Sequence, residues 1–157
     1  MFMEPDIGLE KSSKVINFLN GSLADLFVLG TKTKKYHWNL TGPRFHTLHV
    51  LFQEHYETID EHIDEVAERI TSLGGLAIGT LEEFQKASQL EEHPEEIPDE
   101  DGILEDLLTD HETLIKTLRK NIKISQDCED EGTADLLIGI LRFHEKTSWM
   151  LRSYFNE

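Results

Sequence analysis

The stretch KYHWNLTGPRFHTLHVLFQEHY, from Lys35 to Tyr56, carries four histidines, His37, His46, His49 and His55, and Asp60, Asp64 and Glu68 follow it. Imidazole nitrogens with carboxylate oxygens make up the donor set that suits iron or zinc. Metal binding is therefore the first chemistry these residues could do. Asp64 and Glu68 are four apart and hence neighbours on a helix. Two carboxylates side by side repel, and a divalent cation relieves that repulsion. The competing reading is a solvated acidic face, the ordinary fate of charged residues on an amphipathic helix.

Helical phase sharpens the alternatives. With about 100° per residue and His49 at zero, the apolar residues Leu48, Phe52, Tyr56, Ile59, Ile63, Val66 and Ile70 fall between about −20° and −100°. Gln53, Asp60, Asp64 and Glu68 fall at about 40°, 20°, 60° and 100°, a polar stripe beside the core stripe. His49 and Glu68 lie roughly 28 Å apart along one helix at about 1.5 Å per residue, too far to share an ion within a chain. Either they are unrelated, or a second copy of the helix crosses antiparallel about a two-fold centred near Glu57, bringing His49 of one chain to Asp64 and Glu68 of the other. A bundle-interior di-iron centre of the Glu-x-x-His type is not expected, because no histidine has Glu three positions earlier.

The elements that must position these residues are helical. Ile16, Leu19, Leu23, Leu26 and Phe27 predict a first helix from about Lys11 to Trp38. A second, with Pro43 in its first turn, runs from there to Gly74-Gly75. Leu81 to Phe84 predict a short helix, and EEHPEEIPDEDG (91–102) an exposed connection. Ile103 to Leu118 mark a third long helix, Asp127 to Gly132 an acidic turn, and Leu137 to Tyr154 a last helix. The expectation is an all-α, four-helix bundle with a short helix in the long connection, one domain over residues 1–157.

Composition narrows the function. The formal net charge is −16, from 31 acidic against 15 basic residues, which disfavours nucleic acid and favours cations. No signal peptide opens the sequence and no apolar stretch nears the roughly 20 residues of a membrane span, so a cytoplasmic, membrane-free protein is expected. One cysteine, Cys128, excludes an internal disulfide and reads as a bystander.

His37-Trp38-Asn39, Gly42-Pro43, Phe45, Leu48-His49, Asp64 with Ala67-Glu68-Arg69-Ile70, Leu73-Gly74, and the final stretch His144 to Arg152 resemble the Dps family, the miniferritins, over almost the whole chain. The resemblance implies a ferritin-like bundle assembled into a hollow homo-dodecamer. It implies oxidation of Fe(II), preferably by hydrogen peroxide, and internal storage of ferric mineral. It places His37 and His49 of one subunit with Asp64 and Glu68 of its two-fold partner at the ferroxidase site. The family often carries Asp or Glu where this chain has Gln53, a neutral and weaker ligand. Asp127, Asp130, Glu131 and Asp135 fall where the family lines acidic three-fold pores, with plain surface acidity as the competing account. Glu54, Glu57 and Glu61 are candidates for inner-surface mineral nucleation, Glu57 also for help to the site through water, and Trp38 for interface packing or an oxidant trap.

The remaining histidines read otherwise: His46 and His55 as surface or near-site residues, His62 and His93 as solvated, His111 and His144 as structural. Two further functions compete. One is DNA protection, disfavoured because the N-terminal arm sets only Lys11 and Lys14 against Glu4, Asp6 and Glu10, and the chain ends Phe-Asn-Glu. The other is an assembly holding structural zinc at the same residues without turnover.

Overall fold

The computed structural model describes residues 3–10 and 13–155. Within them the chain forms α1 (Ser13–Asn39), α2 (Phe45–Ser72), α3 (Leu81–Ala87), α4 (Glu100–Asp127) and α5 (Glu131–Arg152). There is no strand among the described residues. α1 packs chiefly on α2 and α4 chiefly on α5, with α3 against α1. Two antiparallel hairpins are thus joined by one long crossing segment, the all-α bundle the periodicity predicts. No helix of the described residues is long and apolar enough to cross a membrane.

The apolar stripes make the core. Leu19, Leu23 and Leu29 of α1, Phe52, Ile59 and Ile70 of α2, Ile103 and Leu107 of α4, and Leu137 and Leu151 of α5 are all essentially fully buried. Each such side chain contributes on the order of 1.5–3 kcal/mol of transfer free energy. The crossing segment is tied down by stacking and by charge. Phe84 stacks on Phe27 at 4.2 Å between ring centres. Buried Lys32 reaches Asp106 at 3.0 Å and Asp110 at 2.7 Å, and donates to the Glu91 carbonyl at 2.8 Å.

Boundaries differ from the sequence reading where local hydrogen bonding decides them. Lys11 lies outside the described residues, and α1 runs one residue past Trp38. Pro43 is not in the first turn of α2. It sits in a turn closed by the Phe45 N–H to the Gly42 carbonyl at 3.1 Å, and the helix begins at Phe45. The acidic connection ends earlier than expected, because Asp99 caps α4 by accepting from the Gly102 N–H at 2.9 Å, putting Glu100 to Gly102 in its first turn.

The ends of α2 and α4 share one geometry. After Ser72 the Gly75 N–H bonds the Ile70 carbonyl and the Gly74 N–H that of Thr71, both at 2.9 Å, with Gly74 at φ 81°. After Asp127 the Asp130 N–H bonds the Ser125 carbonyl at 2.9 Å and the Glu129 N–H that of Gln126 at 3.0 Å. Both are Schellman ends. At the second, however, the left-handed position is filled by Glu129, at φ 58°. Glu129→Gly is therefore expected to stabilise the fold by about 0.5–1 kcal/mol, raising the melting temperature by roughly 1–4 °C in calorimetry.

Candidate metal centre

His37 is in the last turn of α1 and His49 in the second turn of α2, so the tight turn between the helices brings them face to face. Their rings are parallel within 9° and stack at 3.7 Å between centres. Tyr56 lies edge-on to His37 at 5.3 Å and Phe45 over His49 at 5.0 Å. His37 Nδ1 is 2.6 Å from the His49 carbonyl oxygen, and His49 Nδ1 is 2.8 Å from the His37 carbonyl oxygen. A carbonyl only accepts, so each Nδ1 carries the proton and donates. In the neutral ring that arrangement leaves the lone pair on Nε2, the tautomer a metal needs. The His37 carbonyl is one of the last four of α1, which lack a partner within the helix. The exchange therefore completes the helix end as well as orienting the ligand.

The turn itself is clamped from α4. Buried Glu100 accepts from the Arg44 N–H at 2.8 Å and from Arg44 Nε at 2.7 Å, while Asp101 takes the guanidinium at 2.7 Å. Gly42 is at φ 132°, and a Cβ there would lie 2.4 Å from Glu100 Oε1. Only glycine allows both the backbone and the carboxylate to occupy this corner.

The rest of the candidate set stands further along α2, where helical phase predicts. Gln53, Asp60, Asp64 and Glu68 are all exposed. Asp60 is taken by Lys34 of its own chain at 3.0 Å, which leaves Asp64 and Glu68 as the open carboxylates of the stripe. Gln53 Nε2 donates to Glu57 at 2.9 Å, so its carbonyl oxygen is the atom left to ligate. If that oxygen ligates, replacing Gln53 by Asp is expected to tighten Fe(II) binding there by about 1 kcal/mol, the difference between a charged and a neutral partner. Anaerobic calorimetric titration with Fe(II) checks it; unchanged affinity would separate Gln53 from the metal. Within one chain the structure does not bring the histidine pair to the carboxylates. No group of three or more His, Cys, Asp or Glu side chains already surrounds one metal position among the described residues.

Other candidates fall differently. Glu54, Glu57 and Glu61 are exposed on α2, and Asp127, Glu131 and Asp135 around the α4–α5 turn. Asp130 is not free to line a pore. It is buried, caps α5 through the Thr133 N–H at 3.0 Å, and pairs with Arg69 at 2.7 Å. Burial opposes its ionisation, but the Thr133 and Arg69 contacts outweigh that and hold its carboxyl below the usual range. His55 is not at the surface: it is buried between α2, α4 and α5, beside His111 and Phe143. His62 is half-buried rather than solvated. Both lie on the far edge of the apolar stripe, at about −120° and −140° from His49, a phase that could have placed them. His111 and His144 are buried as expected. The Glu100–Arg44 clamp had no local sequence signal, since its partners are far apart in the chain.

A family model described as a ferritin-like domain matches residues 16–157. The chain is 47% identical to an uncharacterised low temperature-induced protein of Nostoc sp., over 95% of this chain and 85% of that one. It is 40% identical to DNA protection during starvation protein 2 of Bacillus anthracis, over 93% and 99%. Among solved structures it superposes on the Dps protein of Vibrio cholerae O1, described as a member of a broad superfamily of ferritin-like diiron-carboxylate proteins, with a TM-score of 0.92 at 32% identity, over 99% of each chain.

Proposed function

The chain belongs to the Dps family of ferritin-like proteins, and from that premise we propose that it is a cytoplasmic miniferritin that oxidises Fe(II) and stores the ferric product inside a homo-dodecamer. The observation that carries this reading is the half-site: two stacked imidazoles with their Nδ1 atoms held by backbone carbonyls, and, among the described residues, no carboxylate of the same chain gathered with them. The missing oxygen ligands are Asp64 and Glu68 of a two-fold partner, presented on the shoulder of α2. Exposed Trp38 (67%), Phe45 (42%) and Val50 (41%) flank the pair and supply apolar surface for that partner to cover.

Mixed nitrogen and oxygen ligands suit Fe(II), and the carboxylates favour the ferric product. Two Fe(II) ions give one electron each to a peroxide, which takes up two protons and leaves as two waters. Pairing the electrons avoids release of hydroxyl radical. Exposed Asp127, Glu131 and Asp135 draw cations inward at the pore, and Glu54, Glu57 and Glu61 offer oxygen atoms where mineral begins. Stopped-flow mixing of the assembled protein with Fe(II), using oxygen and peroxide in parallel, tests the reading. Oxidation well above the protein-free rate, faster with peroxide, is expected. A rate equal to the control with both oxidants, alongside stoichiometric zinc binding, would leave structural zinc as the function.

DNA protection is the weaker reading because of the −16 charge. No stable gel shift is expected at about 150 mM salt without added divalent metal. A shift that weakens steeply with added salt would reverse this.

A further inference from the structure

The imidazole exchange between His37 and His49 tolerates little displacement. Its two contacts measure 2.6 and 2.8 Å, and N–H to carbonyl bonds are made only up to about 3.2 Å. Both can form only at one placement of α2 against the end of α1. A helix carries a shift of its first residue along its length, and Arg44, the N-cap of α2, stands roughly 7.5 Å along the axis from His49. Whatever holds Arg44 therefore sets where His49 stands beside His37.

Arg44 is held from outside its own hairpin. Glu100 accepts from the Arg44 N–H at 2.8 Å and from Arg44 Nε at 2.7 Å, and the guanidinium carbon lies 5.8 Å from the centre of the Tyr154 ring, just past the end of α5. Glu100 is itself a fixed point. It is buried in the first turn of α4, where the helix dipole favours a carboxylate, and the Asp99 cap holds that turn. A partly buried ion pair adds little stability, because desolvation offsets its attraction. The bond to the Arg44 N–H is different in kind: it fixes a position, that of the residue from which α2 starts. The shape of the corner follows from the same contact, since a Cβ at Gly42 would collide with the Glu100 carboxylate.

We propose that Glu100 is a positioning residue of the metal centre: through the Arg44 N–H it sets the register of α2 on α1 at which each imidazole reaches the other's carbonyl. It acts through the backbone and not as a ligand. Its effect on ion binding rests on the reading of His37 and His49 as metal ligands; its effect on the rings does not. Partners that orient a metal-binding histidine are worth about 10–100-fold in affinity, and Glu100 holds the backbone that orients two of them. Glu100→Gln keeps the shape of the side chain but removes its charge and one acceptor, setting an NH2 group against a donor of Arg44. The corner then loses one of its two bonds to Glu100, and the two Nδ1 contacts open together.

Co(II) is the probe, titrated anaerobically into the assembled protein and read by calorimetry and by its visible absorption bands, which follow the geometry of the ligands. The variants are Glu100→Gln, His37→Ala and a control, Asp25→Asn. Buried Asp25 accepts from the Ser88 hydroxyl at 2.8 Å and from the Gln89 N–H at 2.9 Å, so its loss loosens the crossing segment away from the Arg44 corner. Both Glu100→Gln and Asp25→Asn should lower the melting temperature. Only Glu100→Gln should weaken Co(II) binding, by about tenfold, and shift the bands, and its crystal structure should show both Nδ1 contacts opened. Should it not fold, Gly42→Ala displaces the same carboxylate and must act in the same way. Intact contacts in that crystal structure would overturn the proposal. So would unchanged Co(II) binding, or an equal loss in Asp25→Asn, where His37→Ala abolishes binding. Full binding by His37→Ala would instead overturn the metal reading of the pair, and the crystal structure alone would then decide whether Glu100 positions the rings.

Discussion

Mixed assemblies of a His49→Ala chain with an Asp64→Ala chain are expected to regain iron oxidation that neither chain shows alone. Each single variant loses a ligand, and its rate should fall by at least the roughly 10–100-fold that loss of a supporting residue costs a metal site. Neither lesion touches the apolar stripe of α2, since Asp64 is exposed and His49 lies beside the buried residues, not among them, so each variant should still assemble. In a mixed dimer one site collects both lesions, and the other receives an intact His49 and an intact Asp64. About half the sites of each mixed dimer should therefore work. The measurement is the initial rate of Fe(II) oxidation in co-expressed, co-purified assemblies, with the mixture verified by mass. If every site belonged to one chain, each would keep a lesion. Mixed assemblies as inactive as their parents would remove both the two-fold arrangement and the roles given to His49 and Asp64.

The second large effect is acid lability of the bundle. A histidine whose folded value is depressed stabilises the fold above its unfolded value of about 6.5 and loses that contribution as pH falls towards the folded value. His55, pushed down to about 4 by burial, contributes on the order of 3 kcal/mol at neutral pH by this linkage. His144, pushed down to about 3 by burial and then by His62 and His55, acts in the same direction, as does fully buried His111. Melting temperature is therefore expected to fall steeply as pH is lowered from about 6.5 to about 4. His144→Leu should flatten that fall, because leucine does not titrate. Acidification also relieves the repulsion behind the −16 charge, which works the other way, so the difference between the two profiles is the quantity to read. Parallel profiles would mean that the buried histidines do not govern the response.

What the sequence discloses follows from how local its physics is. The α2 stripe repeats in threes and fours, so the helix, its buried face and the exposed shoulder carrying Gln53, Asp64 and Glu68 can be read from phase alone. The separation of His49 from Glu68 likewise needs only a helical rise. His37 is different: its place beside His49 depends on the angle of a turn, and family resemblance supplies it where spacing does not. Glu100 is invisible in sequence because it sits in an acidic run that reads as solvated; its burial exists only once α4 packs over the Arg44 corner. Asp130 reads as one more pore acid for the same reason, until Arg69 and the start of α5 claim both its oxygens.

The carbonyl exchange between His37 and His49 also bears on how quickly an ion is captured and released. Holding a rotamer-rich side chain still costs about 0.5–1.5 kcal/mol when a ligand must do it. Here both rings are held by each other's backbone carbonyls and by stacking as the chain folds, so an ion bound by them would find them already oriented. For two rings that amounts to roughly a tenfold or greater gain in affinity obtained without any further contact. The same stiffness would remove the search for a ring orientation from the capture of an ion bound there. In such a half-site the order that an ion would otherwise have to impose on the two rings is already present in the folded chain.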